Sequence, residues 1–359
     1  MAKLRVGIIG CGEVAQLIHL PVLQSLRDRF TVTALCDVSA LVRDTVGEVW
    51  GIGARYADHH ALLALPDIDA VLVANPNAYH AATARDAIRA GKHVLIEKPL
   101  CIGLAEADML IAEEARARVI VQVGYMRRYA PAFAQAKALL AAGGPIRLAR
   151  VHDVLGRNAL IIGEVADVIR PTDLPASAAT ALAAYTQSSI RDAIGDAPQA
   201  LQNAYALLLG LSSHDLSAMR ELLGYPKRVL YAAHRGADGR TLSAAFDYGD
   251  FVCQFETCID AIARFDAHIE VFTADQVVRV QYDTPYIRNM PGYLRVTDRD
   301  SNGLARVASS LAWQDSFAIE WQAFHASITS GTQPKTTLAD ARQDLTLFQD
   351  MVSAMRAGG

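Results

Sequence analysis

A strand, a glycine-rich turn and a helix open the sequence, and an acidic residue follows the next strand. The apolar stretch Leu4–Ile9 predicts a strand, and a second apolar strand, residues 30–36, ends at Asp37. Glycine in the turn allows the backbone to approach an anion, and the free N–H groups of the helix start favour negative charge. This spacing predicts a dinucleotide-binding unit. Its turn and first helical residues are Gly10, Cys11, Gly12, Glu13 and Val14.

Asp37 indicates which dinucleotide this unit binds. Its carboxylate is placed to accept hydrogen bonds from both hydroxyls of the adenosine ribose, and it would repel the 2'-phosphate of NADP. The next two residues, Val38 and Ser39, add no positive charge. The sequence therefore predicts NAD as the cofactor.

Length and composition exclude several other classes of protein. A chain of 359 residues is too long for one compact core and fits two domains. Its 52% hydrophobic residues and net charge of -4 indicate a globular protein without a nucleic-acid partner. No apolar run approaches the roughly 20 residues that cross a bilayer, and no signal peptide precedes the first strand, so we expect a cytoplasmic protein. Five cysteines at unrelated spacings predict neither a disulfide framework nor a metal site.

Strands and helices alternate through the first third of the chain and then give way to a different pattern. The alternation predicts a doubly wound parallel sheet, and we assign residues 1–125 to an NAD-binding Rossmann domain. Within residues 126–340, an alanine-rich helical stretch precedes a run of strands over about 228–297. This predicts an α+β domain with a large open, mainly antiparallel sheet, for substrate binding and oligomerisation. Residues 341–359 are predicted to form a C-terminal helix. The fold class is therefore α/β.

Two loops at predicted strand ends carry polar residues. Ligands of open parallel sheets bind beyond the carboxyl ends of the strands, so both loops should face the same crevice as Gly10. Taken alone, Lys98 would be an ordinary solvated lysine. Near a cationic nicotinamide its ammonium form would be disfavoured, which would make it a better base at neutral pH. The loop residues are Asn75, Pro76, Asn77 and His80 in the first, and Glu97, Lys98 and Pro99 in the second.

Four motifs, in this order, resemble the glucose-fructose oxidoreductase, inositol dehydrogenase and MocA family, and most closely its inositol dehydrogenase branch. They are Val6–Gly12, Asn75–His80, Glu97–Pro99 and Val123–Phe133. The resemblance implies a dehydrogenase that moves a hydride between NAD and a hydroxyl-bearing carbon of a sugar or polyol such as a cyclitol. It also implies a homodimer or homotetramer, because the family commonly pairs its open sheets.

The same resemblance gives individual residues a role. Lys98 and His214 would be catalytic, Glu97 and His80 would lie beside the nicotinamide ribose, and Met126 and Arg127 would border nicotinamide and substrate. The alternatives are a solvated helix start for Arg127 and a structural role for His214. The implied substrate-binding residues are Lys98, Tyr125, Arg127, Arg157, Asn158 and His214.

The chain departs from the family pattern in two places. Gly210 stands where the family has an aspartate, and α-helical spacing would put that missing carboxylate one turn below His214 and near Lys98. Asp215 would point about 100° away around the helix and is a poor substitute. An additional segment, about 163–203, is predicted to contribute to the substrate pocket; the alternative is an exposed helical excursion or a subunit contact. Its polar residues include Arg170, Asp173, Tyr185, Gln187, Arg191 and Asp192.

These observations leave three functions open. The first is an NAD-dependent dehydrogenase in which Lys98 takes the hydroxyl proton and His214 assists. The second is an NAD-dependent oxidation followed by elimination on a glycoside, which restores NAD in every cycle. The third is a non-catalytic regulatory or sensor protein that binds NAD(H), which Gly210 permits. We favour the first, because a protein without turnover has no chemical need for Lys98 or His214.

Overall fold

The computed structural model describes residues 3–358, and these form two compact units. The first unit comprises the described residues up to Gly124, together with Ala166–Gly195 and Glu320–Leu345. The second comprises Tyr125–Val165, Asp196–Ile319 and the described residues from Thr346 onward. The chain thus passes between the units several times.

The first unit contains a six-stranded parallel sheet, as the sequence predicts. Its order is β3-β2-β1-β4-β5-β6, so the topology switches direction between β1 and β4, where open α/β sheets bind their ligands. The central strands are almost wholly apolar because helices cover both faces of such a sheet. The strands are β1 (Leu4–Ile9), β2 (Phe30–Cys36), β3 (Ala54–Tyr56), β4 (Ala70–Val73), β5 (His93–Glu97) and β6 (Val121–Gly124).

Twelve α-helices are found among the described residues. A π-helical stretch, Ala15–His19, leads into the first of them, and short 3-10 turns at Asn77–Tyr79 and Met126–Tyr129 follow two strands. The helices are α1 (Leu20–Ser25), α2 (Ala40–Val49), α3 (His59–Leu63), α4 (His80–Arg89), α5 (Leu104–Arg116), α6 (Pro131–Ala142), α7 (Asn158–Val165), α8 (Ala176–Ile194), α9 (Gln199–Leu207), α10 (Ser213–Leu223), α11 (Ser316–Ser330) and α12 (Leu338–Ala357).

The second unit contains an eight-stranded sheet that is mainly antiparallel, which confirms the prediction. Its order is β14-β13-β12-β11-β7-β10-β9-β8, and among the described strands of this sheet only β7 and β10 pair in parallel. Buried and exposed residues alternate along the inner strands, so one face is packed and the other is open. The strands are β7 (Ile146–Gly156), β8 (Arg228–Arg235), β9 (Thr241–Asp247), β10 (Val252–Asp260), β11 (Phe265–Thr273), β12 (Val277–Tyr282), β13 (Gly292–Arg299) and β14 (Ala305–Ala312).

The middle of the additional segment packs with the parallel sheet. Ala166–Gly195, which includes α8, belongs to the first unit, whereas α7 and α9 on either side belong to the second. Within residues 3–358, none of the helices combines the length and the apolar character that a bilayer crossing would need.

Candidate active site

The glycine-rich turn combines one crowded glycine with one open glycine. Gly10 has φ +95°, and a Cβ there would lie 2.5 Å from the carbonyl of Ala74 and the backbone nitrogen of Asn75. The turn therefore packs directly on the loop after β4, as only glycine allows. At Gly12, by contrast, no atom of a described residue beyond its immediate neighbours in the chain lies within 4 Å of the Cβ position. The space above the helix start, whose first N–H groups lack partners within the helix, is thus open to an anion.

Asp37 ties this turn to the end of β2. Its Oδ2 accepts a hydrogen bond from the backbone N–H of Cys11 at 2.9 Å, and its Oδ1 accepts one from Ser39 N–H at 2.9 Å. Each carboxylate oxygen has a further lone pair, so the fixed carboxylate retains acceptors for a ribose diol.

The loop after β4 supplies a buried acceptor that lacks a protein partner. The Nδ2 of Asn75 donates to Thr83 Oγ1 at 2.8 Å, but its buried Oδ1 accepts no hydrogen bond from the residues that the structure describes. Buried polar atoms are rarely left unsatisfied, so this oxygen indicates a missing ligand group. The open turn, the fixed carboxylate and this oxygen together fit a dinucleotide.

His80 joins the loop after β4 to the loop after β5. Its ring is buried, with Nδ1 at 2.7 Å from the carbonyl oxygen of Pro99 and Nε2 at 2.8 Å from that of Asn75. Burial lowers the pKa of His80 and outweighs the opposing effect of the two carbonyl oxygens. The ring therefore fixes the spacing of the two loops that the sequence assigns to cofactor binding.

Lys98 follows a carboxylate that a buried hydrogen-bond chain holds in place. The indole N–H of Trp321 donates to His19 Nδ1 at 3.0 Å, so Nε2 carries the histidine hydrogen and donates to Glu97 Oε1 at 2.9 Å. The other carboxylate oxygen of Glu97 accepts the backbone N–H of Lys98 at 3.1 Å. Sequence reasoning missed His19 and Trp321, which lie 302 residues apart.

The charge state of Glu97 follows from these partners. Burial raises the pKa of the Glu97 carboxyl, but the hydrogen bond from His19 and the charge of Lys98 outweigh burial and lower it. Lys98 itself is half-buried, and its peptide bond to Pro99 is cis. The lysine thus lies beside an ionised, buried carboxylate at the carboxyl end of β5.

The residues predicted to bind cofactor divide between the units. Two of them, Met126 and Arg127, are buried in the second unit. The others cluster in the first unit at the ends of β1, β2, β4 and β5; they are Gly10, Cys11, Gly12, Glu13, Val14, Asp37, Asn75, Pro76, Asn77, His80, Glu97 and Lys98.

A cavity in the second unit brings together three positions that the sequence singled out. Arg157, Asn158 and Gly210 all line a space of about 410 Å³. The buried Oδ1 of Asn158 has no hydrogen-bond partner among the described residues, so it is available to a ligand. Asn203, the last residue of the additional segment, also lines this cavity, and so does Arg240, which was missed because it belongs to no recognisable motif.

The helix around Gly210 is not regular, which corrects the spacing assumed from the sequence. Leu208–Ser212 is π-helical and runs into α10, which begins just before His214. A π-helical turn holds an extra residue, so position 210 does not lie one α-helical turn below His214. Tyr125, another predicted substrate residue, is buried in the same unit.

Gly210→Ala is expected to raise the free energy of unfolding by about 0.5–1 kcal/mol, because glycine lowers helix stability by that amount relative to alanine. No atom lies within 4 Å of the added methyl group. Urea unfolding measures the change. Gly47→Ala in α2 is the matched control and should not stabilise, because its methyl group would lie 2.1 Å from Arg55 Nε. An equal rise in the free energy of unfolding of both variants would contradict the conclusion that only Gly210 has room for a methyl group.

Arg127 is the centre of a buried charge cluster. Its Nη1 donates to Asp215 Oδ1 and lies 3.5 Å from Asp153 Oδ2, and all three side chains are almost fully buried. The guanidinium carbon also stands 5.1 Å from the ring centroid of Tyr282 and 5.6 Å from that of Phe265. Sequence reasoning missed this use of Asp215, although its place beside His214 had drawn attention to it.

Asp153 is the carboxyl group of this cluster whose charged form is most disfavoured. Burial raises the pKa of Asp153 well above its ordinary value, and the nearby Asp215 adds to the effect. The raised pKa favours the neutral form of the Asp153 carboxyl, which limits the number of charges buried in this cluster.

Comparisons with known proteins agree with this architecture. The strand order and glycine turn define a dinucleotide-binding Rossmann unit, and residues 4–125 match the sequence model of the Gfo/Idh/MocA oxidoreductase family, NAD-binding Rossmann fold. Inositol 2-dehydrogenase 3 of Saccharopolyspora erythraea is 38% identical over 143 residues, 39% of this chain and 41% of that protein. Inositol 2-dehydrogenase of Salmonella paratyphi B is 33% identical over 142 residues, 39% of this chain and 42% of that protein. The chain thus matches less than half the length of these curated relatives.

Two solved structures share the fold over nearly the whole chain. Levoglucosan dehydrogenase in complex with NADH and levoglucosan has a TM-score of 0.78 at 16% identity and covers 100% of this chain and 98% of its own. KijD10, a 3-ketoreductase from Actinomadura kijaniata in complex with NADP, has a TM-score of 0.73 at 22% identity. The match covers 99% of this chain and 98% of KijD10. The resemblance stated from the motifs is confirmed for residues 4–125, which match the family model, and the two curated relatives are inositol 2-dehydrogenases.

Proposed function

We propose that this protein is an NAD-dependent dehydrogenase that oxidises a hydroxyl group of a sugar, sugar derivative or cyclitol to a carbonyl group, or catalyses the reverse reaction. The observation that carries the proposal is the position of Lys98. It follows a buried, ionised glutamate at the carboxyl end of β5, on the sheet edge that also carries the glycine turn and Asp37. A base beside a dinucleotide site is what hydride transfer from an alcohol needs.

Lys98, Glu97 and His214 would each have a separate role in the proposed reaction. When bound, NAD supplies the ring that accepts the hydride from the carbinol carbon. Lys98 takes the hydroxyl proton, and Glu97 stabilises the ammonium group that results. His214 assists the proton transfer, as the family resemblance implies.

The cavity beside Gly210 supports a polar substrate. It offers the guanidinium groups of Arg157 and Arg240 and the amides of Asn158 and Asn203, and its lining residues include no carboxylate within the part of the chain that the structure describes. Guanidinium and amide groups bind hydroxyl and carboxylate oxygens. We therefore include sugar acids among the candidate substrates.

An absorbance screen tests the function. Purified protein is mixed with sugars, cyclitols, sugar acids and glycosides in the presence of NAD or NADP, and NADH formation is followed at its absorbance maximum. We expect net NADH with at least one polyol. Release of product from a glycoside without net NADH would instead support oxidation followed by elimination.

A second candidate is a non-catalytic protein that senses NAD(H), and Gly210 in place of the family aspartate favours it. This candidate predicts NADH binding without turnover of any compound in the screen. A titration with NADH separates this candidate from a protein that binds no dinucleotide at all. The absence of NADH binding would overturn both proposals.

Asp37→Ala is expected to weaken NADH binding about 10- to 100-fold, because hydrogen bonds to a charged acceptor are worth about 1.5–3 kcal/mol. NADPH binding should weaken less, since the repulsion of its 2'-phosphate is removed as well. Fluorescence titration measures both affinities, and thermal unfolding checks that the variant keeps the turn that Asp37 holds. Tighter binding of NADPH than of NADH by the unaltered protein would show that Asp37 is misassigned.

We also propose that the protein acts in the cytoplasm as a homodimer or homotetramer. Large apolar side chains are exposed on several strands of the second sheet, which is typical of an interaction surface. They include Leu230, Tyr231, Tyr293, Val307 and Leu311. Light scattering on purified protein measures the assembly.

A further inference from the structure

The additional segment binds the loops that follow three neighbouring strands of the first sheet. After β1, the side-chain amide of Gln16 makes two hydrogen bonds of 2.9 Å with the backbone of Ile169, and Arg170 pairs with Glu13 at 2.9 Å. These residues follow the glycine-rich turn directly. The segment is therefore anchored at the start of the helix that would carry the pyrophosphate.

The same segment then continues along the carboxyl edge of the sheet. Asp173 binds the residues after β2, and the ring of Tyr185 in α8 stacks on Tyr79 after β4 with centroids 5.3 Å apart. Strands β2, β1 and β4 are neighbours in the sheet. Residues 169–185 thus run along the edge at which a dinucleotide would lie.

Asp173 makes the contact that bears on cofactor choice. Ser39 Oγ donates to Asp173 Oδ1 at 2.5 Å, and the backbone N–H of Leu41 donates to Oδ2 at 3.0 Å. Ser39 also caps α2, since its Oγ accepts from Val42 N–H at 3.1 Å. A protein carboxylate therefore occupies the start of α2, where the helix dipole favours negative charge. The hydrogen bonds from Ser39 and Leu41 lower the pKa of Asp173, so it is ionised at neutral pH.

Two carboxylates meet at Ser39. Asp37 accepts the backbone N–H of Ser39, and Asp173 accepts its hydroxyl hydrogen. The cations close by are already paired: Arg43 with Asp44, at 2.9 and 3.0 Å, and Arg170 with Glu13. The space beside Ser39 is thus negative in character.

By the general rule for this fold, the ribose 2'-hydroxyl of NAD would meet the carboxylate that follows β2, so the 2'-phosphate of NADP would enter the space beside Ser39. We propose that Asp173 is a determinant of cofactor specificity that the additional segment supplies: its carboxylate holds the anion position at the start of α2 and repels the 2'-phosphate. The inference rests on the proposed function, because it requires the adenosine ribose at Asp37. Asp37 provides ribose recognition, and Asp173 adds rejection of NADP.

A charge series at position 173 tests the proposal by equilibrium binding. NADH and NADPH are titrated against the unaltered protein, Asp173→Asn and Asp173→Lys, with nucleotide fluorescence as the readout. We expect Asp173→Asn to tighten NADPH binding about tenfold and Asp173→Lys to tighten it further, with little change for NADH. Asp173→Asn removes the repulsion between the carboxylate and the phosphate dianion, and Asp173→Lys replaces it with attraction. The effect should shrink at high salt, which screens exposed charges.

Two further variants serve as controls. Asp167→Asn removes another exposed carboxylate of the same segment and should leave the ratio of the two affinities unchanged. Arg170→Ala loosens the anchor at Glu13 while keeping Asp173, and it should not shift the ratio toward NADPH. Thermal unfolding confirms that each variant is folded; Asp173 is exposed, so the substitutions at 173 should be tolerated.

The outcomes separate this inference from the proposed function. If the unaltered protein binds NADH but neither variant at 173 gains affinity for NADPH, the role of Asp173 is overturned and the dehydrogenase proposal stands. If Arg170→Ala gains as much as Asp173→Asn, loosening of the segment explains the change and the charge of Asp173 does not. If the unaltered protein binds neither dinucleotide, both proposals are overturned.

Discussion

Arg127→Met is expected to lower the free energy of unfolding by about 3–5 kcal/mol, the cost of leaving a buried charge without its partner. The variant keeps an unbranched side chain of similar reach but leaves the carboxylate of Asp215 buried without its guanidinium. It also removes the cation from the rings of Tyr282 and Phe265. Urea unfolding followed by circular dichroism measures the loss.

Asp153→Asn is the matched control for this cluster. Since the neutral form of Asp153 is favoured, an amide of the same shape can replace it and still donate a hydrogen bond, so we expect a change of less than about 1 kcal/mol. If Arg127→Met cost no more than an exposed ion pair, about 1 kcal/mol or less, the assignment of a buried paired guanidinium would be wrong. A large loss in Asp153→Asn as well would indicate that Asp153 is ionised.

Lys98→Met is expected to lower turnover at least about a hundredfold, the usual contribution of a general base. Methionine keeps much of the side-chain volume, so NADH binding should largely survive. A steady-state assay on the substrate found in the screen measures turnover, and fluorescence titration measures binding. This combination separates a loss of proton transfer from a loss of the site.

Another lysine provides the comparison. Lys137 is half exposed and pairs with Glu221 in the second unit, so Lys137→Met should leave turnover unchanged. Near-normal turnover in Lys98→Met would remove Lys98 from the proposed mechanism.

Local patterns were sufficient to predict most of the architecture. Apolar runs of strand length, the glycine turn and Asp37 are each encoded within a few residues, and they predicted the parallel sheet and its binding edge. The loop containing Glu97 and Lys98 was found in the same way, because strand ends in such a sheet converge. These signals do not depend on distant parts of the chain.

What the sequence did not reveal depends on pairings between distant residues. Trp321 and His19 are separated by most of the chain, and no local motif marks either of them as a partner of Glu97. Asp153 and Arg127 are likewise joined only by packing, which a periodicity argument does not predict. The π-helical stretch before His214 was missed because a regular helix was assumed.

The first unit is built from three separate stretches of the chain, so its folding cannot finish until the last of them has been synthesised. Its edge strand β6 donates Val123 N–H to the carbonyl of Thr336 at 2.9 Å, and Gln122 Nε2 donates to the carbonyl of Glu320 at 3.2 Å. The indole that orients His19 belongs to the same late stretch. A nascent chain that has emerged only as far as residue 319 lacks all three partners. The first unit therefore becomes complete only after residues 196–319 of the second unit have been synthesised.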